Sequence, residues 1–368
     1  MVEENILVST AARIAHLPFY LFARRPFVTP QKVLILLPCC LSRVMLATPL
    51  LATISNAYPK AKIDWAISDE ARPAISGNPR LTELIRAGNG NISNENWGQI
   101  RELIYRIQEE SYDTCIIPSR SSRLAYIAWQ AGIPQRVGLR AGGRGFAHTL
   151  PVGAPAGEEH EAVVYMEIAR ALGLEAGMGE RLPMEFYPQD SARTAVTQRL
   201  IDDLDWLGDR PLVIMHPGGG DGAFSMDPRK QWPLERFVLL GNEIVRRYEA
   251  QILLVGGPQD YDSAQAIAGM MFSPVGNWAG TVSLGEVGAL AEMANLYIGN
   301  DTGPTHIAAA VGCATVSIFG PSDPAISAPY GKGGRVLTVW DGEGKRPFSW
   351  EESVIVDDVM SAVRKLLD

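Results

Sequence analysis

Short, wholly apolar runs alternate with longer helical stretches along most of the chain. Residues 33–37 (VLILL) form a run of the kind found in fully buried parallel strands. After a loop at 38–42, residues 44–57 read as an apolar helix that either starts near Thr48-Pro49 or kinks there. The pattern then predicts a strand at 63–67, a short helix at 71–76, a helix at 97–110, a strand at 114–117 and a helix at 122–130. A brief strand at 137–139 leads into a basic, glycine-rich loop, and a helix covers 158–172.

The pattern restarts after a linker near residue 188. Strands are expected at 212–216, 252–255, 296–298 and 315–319. Helices are expected at 192–206, 234–248, 263–270, 284–293, 306–311 and 354–367. Two successive βα halves predict an α/β chain with two facing Rossmann-like, doubly wound domains, and sites at the carboxyl ends of their strands. The boundaries are an N-terminal amphipathic segment 1–30, a first domain 31–188, a second domain 189–345, and a C-terminal helix 346–368 packing back on the first domain.

Composition narrows the function classes. With 33 Lys and Arg against 41 Asp and Glu, the net charge of −8 argues against a nucleic-acid-coating protein. No apolar run reaches 18 residues, so no transmembrane helix is expected. The four cysteines, at 39, 40, 115 and 313, include no CxxC pair, which suggests a reduced, cytoplasmic protein. Residues 10–28 mix Arg13, His16, Arg24 and Arg25 with aromatic and aliphatic side chains. Two readings fit them: a segment touching anionic lipid at the membrane surface, or a leader helix packed on the first domain.

The sharpest local signal runs from Gly299 to His306 (GNDTGPTH), where a strand feeds a tight loop and Pro304 suits the start of a helix. A helix N-terminus there is an anion site suited to a diphosphate, with Asp301, Thr302, Gly303 and His306 converging in one turn. The second signal is His216-Pro217-Gly218-Gly219-Gly220 followed by Lys230-Gln231-Trp232-Pro233. The glycines let backbone approach a ligand, and Lys230 brings a charge for phosphate. It is neither a dinucleotide fingerprint nor a Walker loop. Asp203-Leu204-Asp205 looks like a metal-binding DxD but lies on a polar helix, so no metal is expected. Arg136, Arg140 and Arg144, interleaved with glycines, form a basic loop suited to an anionic acceptor.

These residues resemble glycosyltransferase family 9, whose best-known members are ADP-heptose:lipopolysaccharide heptosyltransferases. The stretches that carry the likeness are LATPLLATISNAYPKAKIDWAIS, RVGLRAGGRGF, HPGGGDG with KQWPLERF, and IGNDTGPTHIAAAVGCATVSIFGPSDPAISAPYG. The resemblance implies the GT-B architecture, with an acceptor domain first and a nucleotide-sugar domain second. It implies that Lys230, Thr302 and Gly303 hold a diphosphate, that Asp301 and His306 line the donor site with Gly218 and Gly219, and that Gln259 or Asp260 faces the ribose. The implied partners are a nucleotide-diphosphate sugar, ADP-heptose, and an anionic glycan or glycolipid acceptor at the inner face of the membrane; no cofactor and no nucleic acid are implied. The implied reaction is inverting and metal-independent.

One departure stands out. The family carries Gly-Asp on its first loop, the Asp being the base on the acceptor hydroxyl; aligned through Leu46-Ala47-Thr48-Pro49, this chain has Ser42-Arg43. Arg cannot take a proton at neutral pH, so Arg43 is expected to bind an anionic acceptor instead. Two alternatives follow: a nucleotide-sugar or glycan-binding homologue impaired in catalysis, and a GT-B-like sugar-nucleotide epimerase that needs no acceptor.

Overall fold

A computed structural model describes residues 10, 14, 26–90, 92, 95–141, 145–154, 159–174, 182–220, 227–331, 335–342 and 348–368. They form two compact units, one from the described residues of Met1–Arg72 and Asn78–Leu182, the other from Pro73–Gly77 and Pro183–Asp368.

The first unit holds six strands: β1 (Lys32–Leu36), β2 (Lys62–Ile67), β3 (Glu83–Arg86), β4 (Thr114–Ile117), β5 (Gln135–Arg140) and β6 (Leu150–Gly153). All pair in parallel, in the order β3-β2-β1-β4-β5-β6. Helices α1 (Leu41–Ala57), α2 (Trp97–Glu109), α3 (Ser122–Gln130) and α4 (Glu161–Ala171) connect or cover them. Helix α1 runs through Pro49 rather than starting there. Proline has no N–H for the Met45 carbonyl, one turn back. The Thr48 hydroxyl donates to that carbonyl instead, at 2.7 Å, so the buried acceptor stays satisfied.

The described end of the N-terminal segment is tied to this unit. Val28 exchanges two hydrogen bonds with the Gln135 side chain, and the Gln31 and Lys32 amides donate to Asp113. The basic and aromatic part before residue 26 lies almost wholly outside the described residues. Among the described residues, no helix is long and apolar enough to cross a membrane.

The second unit repeats the plan. Its strands are β7 (Leu212–His216), β8 (Gln251–Leu254), β9 (Gly276–Asn277), β10 (Leu296–Asn300), β11 (Thr315–Ile318) and β12 (Val336–Val339), again all parallel, in the order β12-β11-β10-β7-β8-β9. Around them lie α5 (Asp190–Leu204), α6 (Leu234–Tyr248), α7 (Tyr261–Met270), α8 (Leu284–Met293), α9 (Gly303–Ala310) and α10 (Val356–Leu367), with one helical turn at Pro324–Ser327. The C-terminal helix, expected on the first domain, packs instead in the second unit: Val359, Met360 and Val363 join one core cluster with Met215, Trp232, Phe237, Ile298 and Val316. Its apolar face is large enough to be one wall of that core. The counterparts of strands 1 and 4 are β7 and β10, so the strand order reverses between them, and their carboxyl ends frame the switch point where ligands bind in such sheets.

His148, in the turn before β6, is buried against Gly138 and Gly145; a Cβ on either glycine would meet the ring at 2.8 and 2.6 Å. Burial pushes its pKa down to about 4, against the smaller opposing effect of the Leu139 carbonyl. The folded value lies below the unfolded value of about 6.5, so neutral His148 contributes stability above that pH and loses it as pH falls toward 4. Over that window the group should remove roughly 3 kcal/mol from the first unit. Urea unfolding at pH 7, 5.5 and 4.5 should show that decline, and His148→Phe should flatten it by about one proton; an unchanged slope in the variant would refute the assignment.

Candidate active site

The site of the second unit is built from three loops at the switch point. The first leaves β7 at His216 as Pro217-Gly218-Gly219; the second is the turn Pro228–Lys230 with Trp232 behind it; the third is Asp301-Thr302 between β10 and α9. Pro304 is the second residue of α9, close to its expected place at the helix start.

Sequence reasoning passed over Asn300, the residue that joins these loops. It is fully buried at the end of β10. Its Nδ2 donates to the Pro217 and Gly218 carbonyls at 3.1 and 2.9 Å, and its Oδ1 accepts from the Trp232 amide at 3.2 Å. The only sequence signal was an amide side chain beside Asp301 at a strand end. From behind, the Trp232 indole and Arg236 donate to the Val354 carbonyl, and the Trp350 indole donates to the Arg229 carbonyl. The segment before α10 thus braces the Lys230 turn.

The structure brings Lys230 to Asp301. Its Nζ is 2.6 Å from Asp301 Oδ2 and 3.3 Å from the Asp301 carbonyl oxygen, with the lysine side chain 28% exposed and the carboxylate 5%. The ammonium is therefore partly exposed and held by a buried carboxylate, at the N-terminal end of α9. Thr302 and Gly303 are buried at that helix start. His306 is buried too, and both ring nitrogens face carbonyls at 3.0 Å, of Thr302 and of Ser327. The ring ties α9 to the turn at Pro324–Ser327.

Two expected glycines are needed for close packing. A Cβ on Gly218 would lie 2.7 Å from both Asp260 carboxylate oxygens, and one on Gly219 would lie 2.5 Å from Gln231 Cγ. Asp260 itself turns inward. It is 2% exposed, accepts from the Gly257 amide at 2.9 Å, and approaches His216 Nε2 at 3.6 Å. Burial works against its charge, but His216 and the Gly257 amide together hold the carboxyl below its usual range. Of the two ribose candidates, Gln259 is the exposed one.

In the first unit Arg43 sits in the first turn of α1 and pairs with Glu161 at 3.5 Å, where α4 begins. The same carboxylate receives the Tyr165 hydroxyl. Arg136 is buried and braces the chain by donating to the Ala147 and Ile133 carbonyls, so it does not belong with the acceptor-facing cations. Arg140 is exposed at the end of β5, and Arg144 lies outside the described residues. Asp203 pairs with Arg199, and Asp205 ends α5 in the left-handed conformation. Among the described residues no cluster of three potential metal ligands occurs.

Residues 100–351 match the family described as glycosyltransferase family 9 (heptosyltransferase). Lipopolysaccharide heptosyltransferase 2 of Salmonella typhimurium is 26% identical over 323 residues, covering 86% of this chain and 90% of that protein. The glycosyl transferase family 9 structure from Veillonella parvula superposes with a TM-score of 0.77 at 22% identity, over 92% of this chain and 97% of that one. The E. coli ADP-heptose lps heptosyltransferase II structure gives 0.73 at 22% identity, over 92% and 98%. The fold is therefore the GT-B fold of these enzymes.

Removing the Asn300 amide strands two buried carbonyls and a buried amide. Asn300→Ala should lower the stability of the second unit by about 3 kcal/mol, the cost of leaving such groups unpaired. Urea unfolding followed by tryptophan fluorescence is the measurement; a loss below about 0.5 kcal/mol would show that the loops do not depend on it.

Proposed function

The chain belongs to glycosyltransferase family 9, and from that premise we propose that it moves heptose from ADP-heptose to an anionic glycan or glycolipid of the lipopolysaccharide type, in the cytoplasm at the inner face of the membrane. The observation that carries this reading is the Lys230 ammonium anchored on Asp301 at the N-terminal end of α9, at the switch point of the sheet. A nucleotide diphosphate leaving an anomeric carbon gains negative charge as the bond breaks. A fixed ammonium and a helix N-terminus aimed at that charge stabilise the transition state more than the ground state. The Salmonella heptosyltransferase relative and the E. coli ADP-heptose lps heptosyltransferase II structure support heptose and ADP as donor parts.

The displacement is inverting: the acceptor hydroxyl attacks opposite the departing diphosphate. It is metal-independent, Lys230 supplying the cationic charge that a metal supplies elsewhere. Peripheral contact with the membrane would bring the protein to a lipid-borne acceptor, and residues 10–28 are the segment suited to it. Arg140 and Arg144 serve the acceptor's anionic groups.

A second reading is favoured by one observation: the Arg43–Glu161 pair stands where the resemblance expects a base. In that reading the protein binds the nucleotide sugar and turns it over weakly or not at all.

Lys230→Ala should weaken ADP-heptose binding about tenfold or more, as loss of a charge-assisted contact does. Calorimetry with the full chain decides it, and unchanged affinity would take Lys230 out of the site. Turnover should be unaffected by EDTA.

The native protein should form product slowly from ADP-heptose and a deacylated core acceptor. Restoring a carboxylate requires more than Arg43→Asp, because the new charge would face Glu161. Combined with Ser42→Gly and Glu161→Gln, it should raise product formation at least tenfold, within the roughly 10²–10⁴ range of a positioned base. Fast turnover by the native protein would show that another group serves as base.

A further inference from the structure

A buried polar chain under the glycine-rich loop has no task in the donor reading so far. Asp260, His216 and Thr302 are 2%, 1% and 0% exposed. The His216 ring lies between the other two, with Nε2 3.6 Å from Asp260 Oδ2 and Nδ1 3.2 Å from Thr302 Oγ1. A neutral imidazole carries one proton. The Asp260 contact is longer than a hydrogen bond, yet a buried carboxylate beside Nε2 draws the proton to that nitrogen. Nδ1 is then an acceptor, and the Thr302 hydroxyl donates to it. Two other acceptors lie slightly farther away: the Thr305 hydroxyl oxygen at 3.3 Å, and the Asn300 carbonyl at 3.4 Å, which already takes the Thr305 hydroxyl proton at 2.7 Å.

Thr302 is also the residue that opens α9, with φ −144° and ψ 164°. Threonine at such a position ordinarily turns its oxygen onto the N–H of the second or third helical residue; Pro304 has none, so the donor here would be Thr305. Here its side chain makes no such capping bond. The hydroxyl is engaged below, by His216.

We propose that Asp260, acting through His216, holds the Thr302 hydroxyl off the first turn of α9, so that the turn serves the donor diphosphate rather than a cap of its own. The proposal rests on the donor reading above. It makes Asp260 and His216 positioning residues and moves Asp260 from the ribose to the floor of the site. It also explains Gly218: with any Cβ the loop would collide with the Asp260 carboxylate and with His216 Nε2, each 2.7 Å away.

The network can be read without ligand. The chain has five histidines, so imidazole nitrogen NMR on histidine-labelled full-length protein is tractable, with His216→Asn assigning the signal. His216 should be the Nε2–H tautomer in the native protein and a mixture in Asp260→Ala. Calorimetry with ADP supplies the functional arm. Asp260→Ala should weaken ADP roughly five- to tenfold, about the worth of one helix N-cap bond now competing with the ligand. Adding Thr302→Val should recover most of that loss, to within about threefold of the native affinity, because the competing hydroxyl is gone. Thr302→Ser in the same background should recover nothing. A native Nδ1–H tautomer, or a double variant weaker than either single one, overturns the proposal. Failure of the native protein to bind ADP at all sinks the donor reading, while the tautomer and its dependence on Asp260 still judge the network.

Discussion

One amide side chain, cut off from water, holds the second unit's site together. Asn300 donates to the carbonyls of Pro217 and Gly218 and accepts from the amide of Trp232, so three segments far apart in sequence share one point. The arrangement uses both ends of the group. A carboxylate in its place would set an oxygen against two carbonyl oxygens, and a glutamine would overshoot by a methylene. The neighbouring residue faces the other way: Asp301 keeps its charge for Lys230. The strand ends between the two: Asn300 is its last residue, and Asp301 opens the loop to α9.

The centre of each sheet was legible because its strands are buried on both faces and read as unbroken apolar runs. Thr114–Ile117 and Leu212–His216 match the expected bounds. The edge strands were not legible. Glu83–Arg86 (ELIR), Leu150–Gly153 (LPVG) and Val336–Val339 (VLTV) are four residues long and only partly buried, too short for a period to show. The strand-to-helix turn at Asp301–Pro304 was legible through its residue types, since Asp, Thr, Gly and Pro each have a local reason to sit there. Asn300 and Glu161 were not, because what they do is defined by partners brought near only by folding. Asp260 was visible as a candidate, but a short turn gives no period from which to tell that Gln259 faces out and Asp260 in.

The two units share one strand order yet differ in the loops at the equivalent edge. In the second, the loop after β7 is glycine-rich and the next loop over offers an ammonium. In the first, the loop after β1 is Pro38-Cys39-Cys40, and the helix behind it presents a guanidinium already bound to a carboxylate. The same topology thus carries a carboxylate-paired cation at both edges, beside a glycine-rich loop in one unit and a Pro-Cys-Cys loop in the other.

The brace formed by the C-terminal segment has a consequence for the order in which the chain matures on the ribosome. Trp232 and Arg236 rely on the Val354 carbonyl, and Val359, Met360 and Val363 complete the core around Phe237 and Ile298. Domains generally form as units while synthesis proceeds. The second unit cannot close its interior until residue 363 is available, so until then its sheet has one apolar wall open. That interval, rather than the finished fold, is where the second unit is most exposed to misassembly and to proteases.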